Sequence, residues 1–143
     1  MSTPALSHLY IATACLRNAQ GQLLTVRKRG TQAWMLPGGK RDGMEQPLQT
    51  LLRELCEELG LQLPATQLAP LGHFTAQAAN EAHTQVHAQV FVGLQPLTEP
   101  IQTAAEIEAH HWLDLTSPCP LQLAPLLRLH VLPALLHHLL QHG

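Results

Sequence analysis

Residues Gly39 to Leu61 read GKRDGMEQPLQTLLRELCEELGL. Between Pro47 and Leu59 the leucines Leu48, Leu51, Leu52, Leu55 and Leu59 recur at the three-to-four spacing of a helix with one buried stripe. Pro47 suits the first turn, and Gly60 suits the position just past the end, where left-handed backbone is favoured. At about 100° per residue, Glu54, Glu57 and Glu58 fall within an arc of roughly 100°, centred roughly 120° from the leucine stripe. Like charges so placed cost an isolated helix about 0.2–0.5 kcal/mol per pair, and Arg53 offsets only part of that. A solvated helix face is the ordinary explanation for a lone Glu-Glu pair. A knot of four glutamates in a chain with 13% charged residues points instead to a bound cation. Clustered carboxylate oxygens suit Mg²⁺, which shares its shell with waters and substrate phosphates.

Upstream, Trp34-Met35-Leu36 runs into Pro37-Gly38-Gly39, which predicts a short extended run closed by a tight loop. Tyr10–Leu16 and Gln22–Arg27 have strand character, and Asn18, Gln20 and Gly21 between them predict a hairpin. Downstream, 68–76 and 84–94 read as strands. The second carries Val86, Ala88, Val90 and Val92 on one face, with His83, Gln85, His87, Gln89 and Phe91 on the other. Residues 109–115 predict one more strand, and 121–142 a second amphipathic helix bent or interrupted at Pro133. The order predicts a mixed α/β fold without repeats.

A chain of 143 residues suits one domain spanning 1–143. A net charge of −2 argues against coating nucleic acid or a membrane by bulk electrostatics, so neither a stable nucleic-acid complex nor membrane attachment is expected. Six of the eight Lys/Arg residues (Arg27, Lys28, Arg29, Lys40, Arg41, Arg53) lie close in sequence to the glutamates. Both signs together suggest an anionic ligand held partly through metal. Three cysteines without CxxC spacing argue against a disulfide framework or zinc site and favour a cytoplasmic setting. No signal peptide is evident, and Pro125, Arg128, His130 and Pro133 break the apolar C-terminal region. Leu135, Leu136, Leu139 and Leu140 suit either core packing or a dimer contact, leaving monomer and homodimer both open.

Gly39, five residues, Glu45, seven residues, then Arg53-Glu54-Leu55-Cys56-Glu57-Glu58-Leu59-Gly60-Leu61 resembles the Nudix hydrolase signature GX5EX7REUXEEXGU at every fixed position, U being bulky and aliphatic. The flanking WMLPGGK, QLLTVRKRG and EIEAHHW are also similar to family members. The resemblance implies an α/β/α sandwich with a central mixed β-sheet. It implies hydrolysis of a nucleoside diphosphate linked to another moiety, with Mg²⁺ (Mn²⁺ substituting) as cofactor and a small nucleotide as substrate. A (deoxy)nucleoside triphosphate, oxidised or not, giving monophosphate and pyrophosphate is the leading substrate class. An ADP-ribose-type nucleotide sugar, or a module that senses a nucleotide without cleaving it, is the alternative. Carried over by position, Glu54, Glu57, Glu58 and the Gly39 carbonyl become metal ligands, and Arg53 pairs with Glu45 to brace loop against helix. Glu57 or Glu58 is the first choice of general base, with Glu106 as the candidate from a later loop.

Substrate contacts are less marked. Arg27, Lys28 and Arg29 alternate sides of a strand, so one or two of them reach phosphates or merely charge an edge; Arg27 and Arg29 are the candidates. His87 on the polar side of its strand is a pocket candidate, as is Phe91 as a base contact, though Phe91, Phe74 and Tyr10 also suit the core. His110-His111 and His137-His138 lack metal-ligand spacing.

Overall fold

The computed structural model describes residues 5–142. Its elements are β1 (Ser7–Cys15), β2 (Leu23–Lys28), β3 (Gly38–Lys40), α1 (Pro47–Leu59), β4 (Leu68–Gln77), β5 (Thr84–Gly93), β6 (Ile107–Leu113) and α2 (Leu132–His142). A π-helical stretch, Leu126–Val131, leads into α2.

Four strands form a mixed sheet in the order β3-β1-β5-β4, with β1 parallel to β5 and the other pairs antiparallel. β2 and β6 form a separate antiparallel ladder. Because successive side chains of a strand point to opposite faces, β1 and β5 feed two cores. Ala12, Ala14, Leu16 and Phe91 pack with Leu51, Leu55 and Leu59 of α1. Cys15, Val86, Ala88, Val90 and Val92 pack on the opposite face with Leu127, Val131 and Leu135. The sheet is thus covered by a helix on each side, the sandwich expected from the sequence.

The predicted hairpin forms only at its turn. Asn18 Oδ1 accepts the N–H groups of Gln20 and Gln22, and Arg17 bridges Leu23, but β1 and β2 then part into different sheets. β1 takes β3 and β5 as its edge partners, and β2 takes β6.

The tight loop expected at Pro37-Gly38-Gly39 instead yields β3, whose glycines pair with Thr13 and Ala12. Gly38 sits at φ 141°, and a Cβ there would lie 2.7 Å from the Thr13 Cα, so only glycine lets the chain come this close. The C-terminal interruption precedes Pro133 rather than falling on it. The wide turns of Leu126–Val131 make room for a proline ring that would clash with the carbonyl four residues back in an unbroken α-helix. The last strand begins two residues earlier than predicted, at Ile107, and His83 lies in the turn before β5 at φ 51° rather than on a strand. Among the described residues no helix is long and apolar enough to cross a membrane.

Candidate active site

The leucine stripe of α1 is pinned to the sheet, and this sets the carboxylate edge at the rim of β3. Both helix ends fall where Pro47 and Gly60 predict them. The Gln46 N–H donates to Gln49 Oε1 at 2.9 Å, and Gly60 closes the far end in the left-handed region at φ 68°.

Arg53 is the hub of the edge. Its Nε and Nη2 donate to the two oxygens of Glu45 at 2.7 and 2.9 Å, so the pair is bidentate. Nη1 reaches Glu54 at 3.0 Å and Glu57 at 3.3 Å, and Nη2 also donates to the Lys40 carbonyl at 3.1 Å. Glu45 further accepts the Asp42 N–H at 2.9 Å and the Thr50 hydroxyl at 3.0 Å. The Arg53 hydrogen bond, then the Asp42 amide, hold the Glu45 carboxyl down to about 2. The same partnership raises the affinity of Arg53 for its proton. The loop 40–46 is thereby tied to α1, as expected for the Glu45–Arg53 pair.

Glu54 lies against Gly39, where a Cβ would come within 2.6 Å of its Oε2. Glu58 is 8% exposed. Burial, reinforced by the nearby Glu54 carboxylate, pushes its carboxyl up to about 8, while Lys28 acts in the opposite direction. Glu57 is more open and leans on Arg53. Among the described residues no three His, Cys, Asp or Glu side chains converge closely enough to hold a cation as they stand. The donor chemistry nonetheless fits a hard divalent ion, because Glu54 and Glu58 crowd oxygen atoms that cannot both ionise cheaply without one. Glu57, on the exposed side, can turn from Arg53 at little cost.

Glu106 comes near this group from the loop before β6. Its carboxylate lies 3.8 Å from the Lys28 amine and adds to the charge felt by Glu58. The basic residues of β2 separate by strand alternation. Lys28 faces the carboxylates, whereas Arg27 donates to the Thr31 carbonyl at 2.8 Å and to Glu108 at 3.2 Å, with its guanidinium 5.5 Å from the Trp34 ring centre. Arg29 is exposed. The residue that reaches the site is therefore Lys28, not the candidates Arg27 and Arg29. The alternation noted in the sequence was the signal, read on the wrong face.

A cleft of about 110 Å³ opens beside the carboxylates. Lys28, Gly38, Gly39 and Lys40 border it at that end, and Leu9, Ile11, Val86 and Leu127 line its walls. β5 therefore meets the cleft through its apolar face. His87 lies on the other side of the sheet, stacked on Tyr10 at 4.8 Å and sharing a 2.8 Å hydrogen bond with His8. Phe91 is buried among the α1 leucines. Neither candidate borders this cleft, because the polar side of β5 faces the α1 side of the sheet, where His87 lines a second pocket of about 120 Å³ with Tyr10, Arg41, Thr50 and His73.

The sandwich with its glycine-tight strand and carboxylate helix is a Nudix fold. The family model of the NUDIX domain matches residues 7–135, and the chain belongs to the Nudix family. An RNA pyrophosphohydrolase of Psychrobacter sp. (strain PRwf-1) is 43% identical over 53 residues, 37% of this chain and 31% of that protein. The matched stretch thus spans about a third of that relative's length. The NUDIX domain of Shewanella oneidensis NrtR, solved complexed with ADP ribose, superposes with a TM-score of 0.70 at 21% identity, covering 96% of this chain and 90% of that one. A bifunctional NMN adenylyltransferase/ADP ribose pyrophosphatase of Francisella tularensis, solved with AMP and a Mn ion, gives 0.65 at 22% identity, covering 98% of this chain and 43% of that one.

Proposed function

We propose that the chain is a cytoplasmic, Mg²⁺-dependent pyrophosphohydrolase acting as a single domain on a small nucleotide, with Mn²⁺ able to replace Mg²⁺. The leading substrate class is a (deoxy)nucleoside triphosphate, oxidised or not, cleaved to monophosphate and pyrophosphate. The observation that carries this reading is the crowding of Glu58 against Glu54 beside Gly39, which borders a cleft also lined by Lys28, Lys40 and Glu81. A buried and a half-buried carboxylate crowded beside the cleft-bordering Gly39 suit a metal-bound polyphosphate better than they suit a structural role.

In this reading Glu54, Glu57, Glu58 and the Gly39 carbonyl hold the cation, which when bound neutralises diphosphate charge and acidifies an attacking water. Arg53 keeps Glu54 and Glu57 in place and, through Glu45, fixes the loop that carries Lys40. Lys28 and Lys40 offer ammonium groups to phosphate oxygens. Glu57 or Glu58 is the leading general base, and Glu106, paired with Lys28 beside Glu58, is the candidate from the later loop.

The test is release of phosphate or pyrophosphate in Mg²⁺ from a panel of nucleoside triphosphates, their oxidised forms, ADP-ribose and 5′-triphosphorylated RNA. The last two are included because a solved neighbour is complexed with ADP ribose and a relative is named an RNA pyrophosphohydrolase. Glu57→Gln and Glu58→Gln should each lower the rate by about 10²-fold or more. Tight binding of a nucleotide without turnover would favour a sensing module, and equal rates in wild type and both variants would refute the metal site.

A further inference from the structure

Thr13 is 4% exposed, yet its Oγ1 is buried without a hydrogen-bond partner. β1 turns this side chain away from α1 and into the cleft beside the carboxylates. Its neighbours at the same level of the sheet are Gly38 on β3 and Val90 on β5. The first has no side chain and the second no polar atom, so nothing beside Thr13 can pair with its hydroxyl. The cleft walls at Leu9, Ile11 and Val86 are apolar too. Valine has nearly the same shape as threonine and would fill this place without stranding a hydroxyl, so packing alone gives no reason for threonine here.

We propose that Thr13 reads the polar edge of a nucleobase seated in the cleft. Its hydroxyl hydrogen-bonds a ring nitrogen or exocyclic group while the phosphates extend past Gly39 toward Glu54. The proposal rests on the nucleotide pyrophosphohydrolase reading above and adds the group by which the base is held. Leu9, Ile11 and Val86 supply flat apolar contact for the ring faces, and the ring edge meets Thr13. A base-free polyphosphate gains nothing from this hydroxyl.

The experiment measures binding rather than turnover, by titration calorimetry in Mg²⁺, of wild type, Thr13→Val and Thr13→Ser. The probes are the α,β-methylene analogues of ATP, GTP, CTP and UTP, with inorganic tripolyphosphate as the base-free control. Thr13→Val should weaken at least one nucleotide roughly five- to tenfold, the share of one neutral hydrogen bond. It should leave tripolyphosphate unchanged and melt no lower than wild type, and Thr13→Ser should stay within about twofold of wild type. The proposal is overturned if Thr13→Val binds all four analogues as wild type does, or loses nucleotide and tripolyphosphate equally. It is also overturned if wild type binds none of the analogues, or if Thr13→Val melts lower, which would show the hydroxyl already paired within the fold. Absence of hydrolysis by wild type would refute the enzymatic reading and leave this test standing.

Discussion

The carboxylate of Glu54 occupies the space beside Gly39 that any side chain there would claim, with Oε2 2.6 Å from the position of a Cβ. The glycine that opens the carboxylate motif is thus matched sterically to the first glutamate of the triplet, fifteen positions along the chain.

Gly39→Ala should therefore displace Glu54, lowering the hydrolysis rate by about 10²-fold, the effect of misplacing a reacting geometry by roughly an ångström. Stability should fall by about 1–3 kcal/mol from overpacking. Initial rates and urea unfolding check both, and a variant with wild-type rates would show that Glu54 is not needed where it stands.

Arg53→Lys should be far from conservative, since an ammonium group cannot bridge both oxygens of Glu45 and still reach Glu54 and the Lys40 carbonyl. We expect activity to fall by about 10²-fold and stability by about 1–2 kcal/mol. Combining it with Glu45→Gln should add little further loss, because both remove one interaction. Full additivity in that double-mutant cycle would argue against the brace.

The pH dependence follows from Glu58, whose carboxyl is raised from 4.5 to about 8 in the fold. Between these values the folded protein holds a proton that the unfolded chain has released, so metal-free stability falls as pH rises through that window. A divalent cation favours the ionised form, and its stabilising effect should therefore be larger at pH 8 than at pH 5. Melting temperatures with and without Mg²⁺ across pH 5–9 measure this. Glu58→Gln should flatten the metal-free slope, and an unchanged slope would assign it to another group.

Strand alternation separates the basic residues of β2. Lys28→Ala should raise the KM for a nucleoside triphosphate by about tenfold through loss of a charged contact, whereas Arg29→Ala should leave it within about twofold. Steady-state kinetics decide, and the reverse ranking would restore the face chosen from sequence.

The carboxylate helix was legible. Its leucine spacing, first-turn proline and terminal glycine are local signals that set the helix boundaries, whereas the Arg53–Glu45 pair was implied by the family resemblance and the Gln46–Gln49 cap was not foreseen. Of the four-stranded sheet, β1, β4 and β5 were legible as strands, whereas β3 was read as a loop and the partners were not legible. Asn18 and Gly21 announce a turn, yet β1 and β2 leave that turn for different sheets, since the edge partners come from segments distant in the chain. Lys28 was passed over, and His87 and Phe91 were chosen, for the same reason. Alternation says which residues share a face but not which face meets the cleft.

By itself, then, the sequence determined the family, the helix and the order of carboxylates, because those depend on separations of a few residues along a regular backbone. Only the tertiary structure decided that Gly39 must yield its space to Glu54, that Glu58 is buried and proton-loving, that Lys28 faces the site, and that Thr13 holds an unspent hydroxyl in the cleft. Each of these depends on burial and on contacts between segments far apart in the chain, and neither quantity exists until the sheet has closed around its two helices.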